Sequence, residues 1–279
     1  LFLSGCINDD LDECDINIRF NYSWNMLNAD SFAEQVDEVH LFVFDDSGTY
    51  IKTVHDKGTH VQRQGYSMTV GNLLLNEKYH FLAIGANNQN KEALSHLELT
   101  KMISGVTRIQ DLTAKLKGID ESTIFKTALN NYLIGQIATV DYDQQLNFTI
   151  STKKINENIR IALIDESDRE LTTDDFSIRL EDMNGYGGIS YNFSPISKGS
   201  KLTYDPYYYQ KVLKRDNTGF AHEPETINAT AAEFSVLRLS EKQNLRLIVA
   251  DKDGKTVLDK NIIDLIYLLK LEGHISSDM

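Results

Sequence analysis

Three prolines, two cysteines and one tryptophan stand among 279 residues, and each scarcity narrows the possibilities. Two cysteines eight residues apart, Cys6 and Cys14, do not make the multi-bridge framework of a small disulfide scaffold. No stretch reaches the roughly 18 consecutive apolar residues that a membrane helix requires. Basic residues are outnumbered, with 28 Lys and Arg against 41 Asp and Glu. The resulting net charge of −13 would repel a phosphate backbone, so no nucleic-acid partner is expected. It also excludes a polybasic patch for membrane binding.

Catalytic and metal motifs are missing as well. The seven histidines (His40, His55, His60, His80, His96, His222, His274) are dispersed without ligand spacing, and there is no HExxH. They read as strand or loop residues, and no metal site is expected. Neither GxSxG nor a P-loop occurs. Ser151-Thr-Lys-Lys154 has the letters of SxxK, but at a strand end and without its companion motifs. Asp251-Lys-Asp-Gly254 lacks the fifth-position and terminal ligands of an EF-hand, so a hairpin turn is the better reading. The pair Asp174-Asp175 falls in a turn, where solvation or capping explains it. The expectation is a protein with no catalytic residues and no cofactor.

What is present begins at the N-terminus. Leu3-Ser-Gly-Cys6 has the form of a lipobox: an apolar residue, two small ones, then a cysteine whose thiol can take a diacylglycerol. Asn8, Asp9, Asp10, Asp12 and Glu13 follow directly. This reading makes Cys6 the lipid-attachment residue and places most of a signal peptide upstream of Leu1. The competing reading is a buried N-terminal strand with an ordinary core cysteine. With Cys6 acylated, Cys14 is left buried, paired between chains, or free.

Beyond the N-terminus the pattern is β. Alternating apolar residues at 16–22, 64–70, 133–140, 145–151, 159–164 and 176–181 have the period of half-buried strands. Segments 39–44 and 50–54 flank Asp45-Asp-Ser-Gly48, a hairpin with glycine at the left-handed position. Ser31 and Glu34 have capping-box spacing, predicting a helical turn within 30–37. Segment 87–118 reads as an excursion with one or two short helices, and 184–188 as a turn. Segments 234–239 and 244–249 are expected to pair, and 261–271 to form a short buried helix or a loop. Repeated hairpins with few helices predict an all-β chain of two tandem antiparallel β-sandwich domains. The polar stretch 153–158 is the expected boundary. The division is then 1–15 as signal remnant and acidic tether, 16–153 as the N-terminal sandwich, and 154–279 as the C-terminal one. Tyr204, Tyr207, Tyr208 and Tyr209 cluster in one loop. They form a candidate binding surface for sugar or protein, or else cover a sandwich end.

Several of these segments resemble one family. Cys6-x-x-Asp9-Asp10-Leu11-x-x-Cys14 followed by Ile16-Asn-Ile-Arg-Phe-Asn-Tyr22 is similar to the start of the FimB/Mfa2 family of fimbrial anchor lipoproteins of Bacteroidales-type bacteria. Two further blocks, from Val36 to Gly48 and from Tyr79 to Asn87, are similar to that family's later strands. The resemblance implies two transthyretin-like sandwiches, with further strand beyond the segment matching 265–271. It also implies a surface-exposed lipoprotein of the outer membrane that anchors a fimbria and limits its assembly. Its partners would be fimbrial subunits, accessory fimbrial proteins and, through lipid, the membrane. The acidic run after Cys6 resembles the surface-export signal of such bacteria. The alternative is a lipid-anchored surface or tip adhesin that binds glycan or host protein.

Overall fold

In the computed structural model, residues 15–25, 27–71, 73, 77–87, 94–120, 122–141, 147–167, 169–215 and 226–269 are described. The first half holds β1 (Ile16–Asn21), α1 (Phe32–Gln35), β2 (Glu38–Asp45), β3 (Tyr50–Lys57), β4 (Ser67–Val70), β5 (Lys78–Ala86), β6 (Leu97–Leu99), β7 (Thr113–Leu116), β8 (Ile124–Phe125), β9 (Tyr132–Asp141) and β10 (Asn147–Lys154). The second holds β11 (Asn156–Ile164), β12 (Phe176–Asp182), β13 (Tyr186–Ser190), β14 (Pro195–Ser197), β15 (Leu202–Tyr204), β16 (Tyr208–Arg215), β17 (Thr226–Leu237), β18 (Leu245–Asp251), β19 (Thr256–Asn261) and α2 (Ile262–Leu268). The all-β expectation holds.

A seven-stranded sheet runs β3-β2-β5-β9-β10-β1-β4. It curls so that its two ends share a core. Ile16 and Ile18 of β1 lie in one cluster with Val39, Leu41 and Val43 of β2 and Tyr79 and Phe81 of β5. The opposite face of the same central strands is buried too. Phe42, Phe44, Leu82 and Ile84 belong to a second cluster that extends to Phe234, Leu247 and Ile262 in the other half. Burial on both faces explains why 41–44 and 81–86 are apolar without a gap, where a half-buried strand would alternate. The second cluster therefore joins the two halves. Strand pairing joins them as well: β7 pairs antiparallel with β13, and β8 pairs parallel with β15.

The other sheets are β11-β17-β16, β19-β18-β12-β15-β8 and β14-β13-β7-β6. Inward residues of the first two meet in the shared core, among them Ala232 and Phe234 of β17 and Ile178, Leu180, Leu247 and Val249 of β12 and β18. Between β10 and β11 only Ile155 intervenes, and it is fully buried.

Several local expectations need correction. Ser31 makes no cap bond to α1; Asp30 does the work, its Oδ1 accepting from Phe32 N and Tyr22 N at 3.0 Å each. The excursion after residue 87 forms no α-helix among the described residues. Leu112, Ala114 and Leu116 recur with period two and drive β7 into the core, leaving one 3-10 turn at Ile109–Asp111. Segments 234–239 and 244–249 do not pair. Strand β17 lies between β11 and β16, whereas β18 lies between β12 and β19. Part of the expected turn at 184–188 is strand β13, whose Gly187 lies under Ile119. A Cβ there would come within 2.2 Å of Ile119 Cδ1, so the tip of that side chain would have to move to admit one. Helix α2 is capped by Asn261, whose side chain accepts from Ile263 N at 2.9 Å, but only Ile262 and Ile263 are buried.

Glu181 of β12 accepts from Arg179 Nε at 2.9 Å and lies 3.1 Å from Lys201 Nζ. These cations hold its carboxyl below the ordinary value of 4.5 against partial burial. A lowered carboxyl contributes stability that is present above its unfolded value and lost as pH falls through the folded one. The variant Glu181→Gln is accordingly expected to flatten the acid side of the pH–Tm curve, measured by thermal melts between pH 6 and pH 3.

Candidate functional site

Strand β11 presents the most receptive edge of the fold. It is nine residues long and, among the described residues, hydrogen-bonds to a neighbour on one side only, β17. Ile159, Ile161 and Leu163 point inward, opposite Phe234, Ala232 and Thr230 of β17. Their partners are fully buried, while these three remain half-buried. The core is thus thinner along this edge. From Ile159 to Ile164 the strand carries one charge, Arg160. The other long edges are protected. Strand β3 carries Lys52, Asp56 and Lys57, β16 carries Lys211, and β19 carries Asp259 and Lys260. An edge with few charges, one open side and a half-covered apolar row can accept another strand.

Next to the start of β11 lies a cleft of about 380 Å³, lined by Lys153, Ile189, Asn192, Phe193, Pro195 and Arg238 with Leu239 and Ser240. Lys153 Nζ lies 4.6 Å from the ring centre of Trp24 and 5.8 Å from that of Phe193. Trp24, the sole tryptophan, is nearly half exposed. Burial and the nearby charge of Arg238 push the Lys153 ammonium below its ordinary pKa. Phe193 has φ 67°, a left-handed conformation that a bulky side chain rarely adopts. Two cations beside the half-exposed Trp24 ring and the half-buried Phe193 ring suit an acidic or hydroxyl-rich ligand.

The four tyrosines occupy different environments. Tyr204 is 1% exposed, and its hydroxyl donates to Tyr186 O at 3.2 Å, so it offers no surface to a partner. Tyr204 ends β15, Tyr207 lies between the strands, and Tyr208 and Tyr209 open β16. The Tyr207 hydroxyl donates to Glu233 Oε2 at 3.1 Å, and that of Tyr209 donates to Phe176 O at 2.6 Å. Tyr207, Tyr208 and Tyr209 are half-buried. Cys6, the residue expected to carry lipid, lies outside the described residues, as does Cys14.

Two of the dispersed histidines come together across the β2–β3 hairpin. His40 and His55 are register partners, their rings stacked with centres 4.2 Å apart. Both Nε2 atoms approach Glu38 Oε1, at 2.8 Å and 2.9 Å. Burial pushes the His40 pKa down, against the pull of Glu38. Burial raises that of Glu38, but the bonds to His40 and His55 outweigh it and leave it lowered. Fifteen residues separate the two histidines in sequence, so no spacing motif announces the cluster; only the hairpin register does.

Against known proteins, a model of fimbrillin-A associated anchor proteins Mfa1 and Mfa2 matches residues 11–278. Comparison with curated protein sequences gives no match. Among solved structures, a candidate polysaccharide-binding protein of Bacteroides thetaiotaomicron is 25% identical, covering 95% of this chain and 88% of that one, with a TM-score of 0.76. A candidate adhesin of the same organism is 26% identical, covering 96% and 87%, also at 0.76. The fimbrial anchor protein Mfa2 of Porphyromonas gingivalis shares the fold at 13% identity, covering 94% and 86%, with a TM-score of 0.66.

Proposed function

The chain belongs to the family of fimbrillin-A associated anchor proteins, and from that membership we propose that it anchors a fimbria to the outer membrane through a lipid on Cys6. As a member it is a fimbria-associated surface protein. The finer reading rests on the β11 edge. A strand from a fimbrial subunit would add beside β11, hydrogen-bonded along its main chain, with alternate side chains covering Ile159, Ile161 and Leu163. An anchor that receives a strand at one place and is tethered by lipid at another ends the row of subunits, which limits assembly. The role is structural and needs no catalytic residue.

Pull-down from native membranes tests it. Major fimbrial subunits are expected to co-purify with the intact chain in near-stoichiometric amount. The variant Ile161→Lys, which puts a charge into the half-covered row, is expected to lower their recovery about tenfold or more, since a buried unpaired charge costs several kcal/mol. A thermal melt of the variant establishes that it is folded. Recovery of the chain without subunits, or equal recovery with folded Ile161→Lys, would overturn the reading.

The cleft at Lys153 favours a second reading, a lipid-anchored adhesin. Trp24 and Phe193 offer ring faces for a sugar, and a structurally similar protein is a candidate polysaccharide binder. The half-buried tyrosines at 207–209 would extend that surface. A glycan array separates the two, because the anchor leaves it blank and the adhesin does not.

A further inference from the structure

Period-two alternation places Glu38 and His40 on one face of β2, and the β2–β3 register puts His55 beside His40 on the same face. Three donor atoms from these side chains lie within 4.8 Å of one another. One carboxylate oxygen receives both imidazole nitrogens, an arrangement in which two N–H protons converge on a single acceptor. Replacing those protons with one cation relieves the crowding and keeps every donor engaged. The side chains are 13%, 23% and 39% exposed for Glu38, His40 and His55, so an ion can reach them from solvent.

We propose that Glu38, His40 and His55 form a binding site for a divalent transition-metal ion of the zinc class, with one coordination position left open. Two imidazoles and a carboxylate suit borderline ions such as Zn²⁺, Ni²⁺ or Co²⁺ over the all-oxygen preference of Ca²⁺ and Mg²⁺. Metal–ligand bonds of about 2.1 Å place donors about 3.4 Å apart in a tetrahedron, so both imidazoles, now 2.8 Å and 2.9 Å from Glu38 Oε1, would turn slightly away from it. Lys57 faces Glu38 in the register; its exposed ammonium weakens cation binding but occupies none of the donors. Three protein ligands leave the fourth position to water or to a ligand from outside the chain. The bound ion would also clip edge strand β3 to β2.

Zn²⁺ titrated into the full chain by calorimetry, with Co²⁺ absorbance as a second readout, tests the site. One ion per chain is expected, and His40→Ala and His55→Ala should each weaken binding about tenfold or more, as losing one ligand of three does. The variant His60→Ala is the control, because that ring bonds to Asp56 instead, at 2.7 Å. Melts in EDTA separate misfolding from lost binding: folded His55→Ala should match the parent chain there and lack its Zn²⁺-dependent rise in Tm. Absence of Zn²⁺ binding, or binding that persists in both folded histidine variants, overturns the proposal.

Discussion

Replacing Asp182 with alanine is expected to cost about 3–5 kcal/mol, the range for removing one partner from a buried charged network. No side chain in the second half is more heavily committed. Asp182 is fully buried, and its two oxygens accept four bonds. Asn184 N and Gly185 N donate to Oδ1 at 2.9 Å and 3.2 Å, while Tyr186 N and Gln243 Nε2 donate to Oδ2 at 3.1 Å and 2.7 Å. These bonds close the β12–β13 turn and tie it to the segment before β18. Burial pushes the carboxyl pKa up, and the four donors oppose that rise. Alanine would take the acceptor from the amides of Asn184 and Tyr186 and from the Gln243 side chain, while Gly185 N keeps the backbone oxygen of residue 182 at 3.1 Å. For a chain of this size a loss of this kind lowers Tm by roughly 10 °C, taking about 2–4 °C per kcal/mol. The variant Asp182→Asn keeps one acceptor oxygen and loses the other, so its melting point should fall between the two. An alanine variant melting within 2 °C of the parent would show that the turn is held by other means.

The second large effect concerns location. Cys6→Ala is expected to move nearly all of the protein from the membrane to the soluble fraction when it is expressed in a bacterium with its native membrane. Each buried lipid methylene contributes about 0.8 kcal/mol, and stable anchoring takes two acyl chains or more, so losing the attachment point removes the whole tether. A change of less than about 0.5 kcal/mol in folding stability is expected alongside, as for a substitution that removes only an attachment point. Fractionation by ultracentrifugation, paired with a melt of the soluble variant, checks both halves of the prediction. Unchanged membrane association of Cys6→Ala would remove the lipid from the account.

Much of the local structure could be read from residue order. The β2–β3 hairpin was legible because Asp45-Asp-Ser-Gly48 combines turn residues with a glycine at φ 78°, and the runs either side are rich in β-branched and aromatic residues. The β18–β19 turn was legible for the same reason, with Gly254 at φ 82° and Asp251 Oδ1 accepting from Asp253 N and Lys255 N. Short strands in the middle of the chain were harder to read. Strand β7 has four residues and β8 two, and each is held by partners some 75 residues further on, which no local window contains. The binding surface divided in a similar way. Tyr204 looked like one of a group of loop tyrosines, but it belongs to a strand whose inward face closes the core.

Periodicity, turn chemistry and composition determined the β character of the chain, its hairpins and its acidic balance, because each is legible from residue types and their order. Tertiary structure alone decided which strands became neighbours, and with them the open edge at β11, the burial of Tyr204 and the convergence of Glu38, His40 and His55. Strand pairing joins segments through backbone groups that every residue carries, so the order of strands in a sheet is written in the packing of side chains across the core and is invisible along the chain.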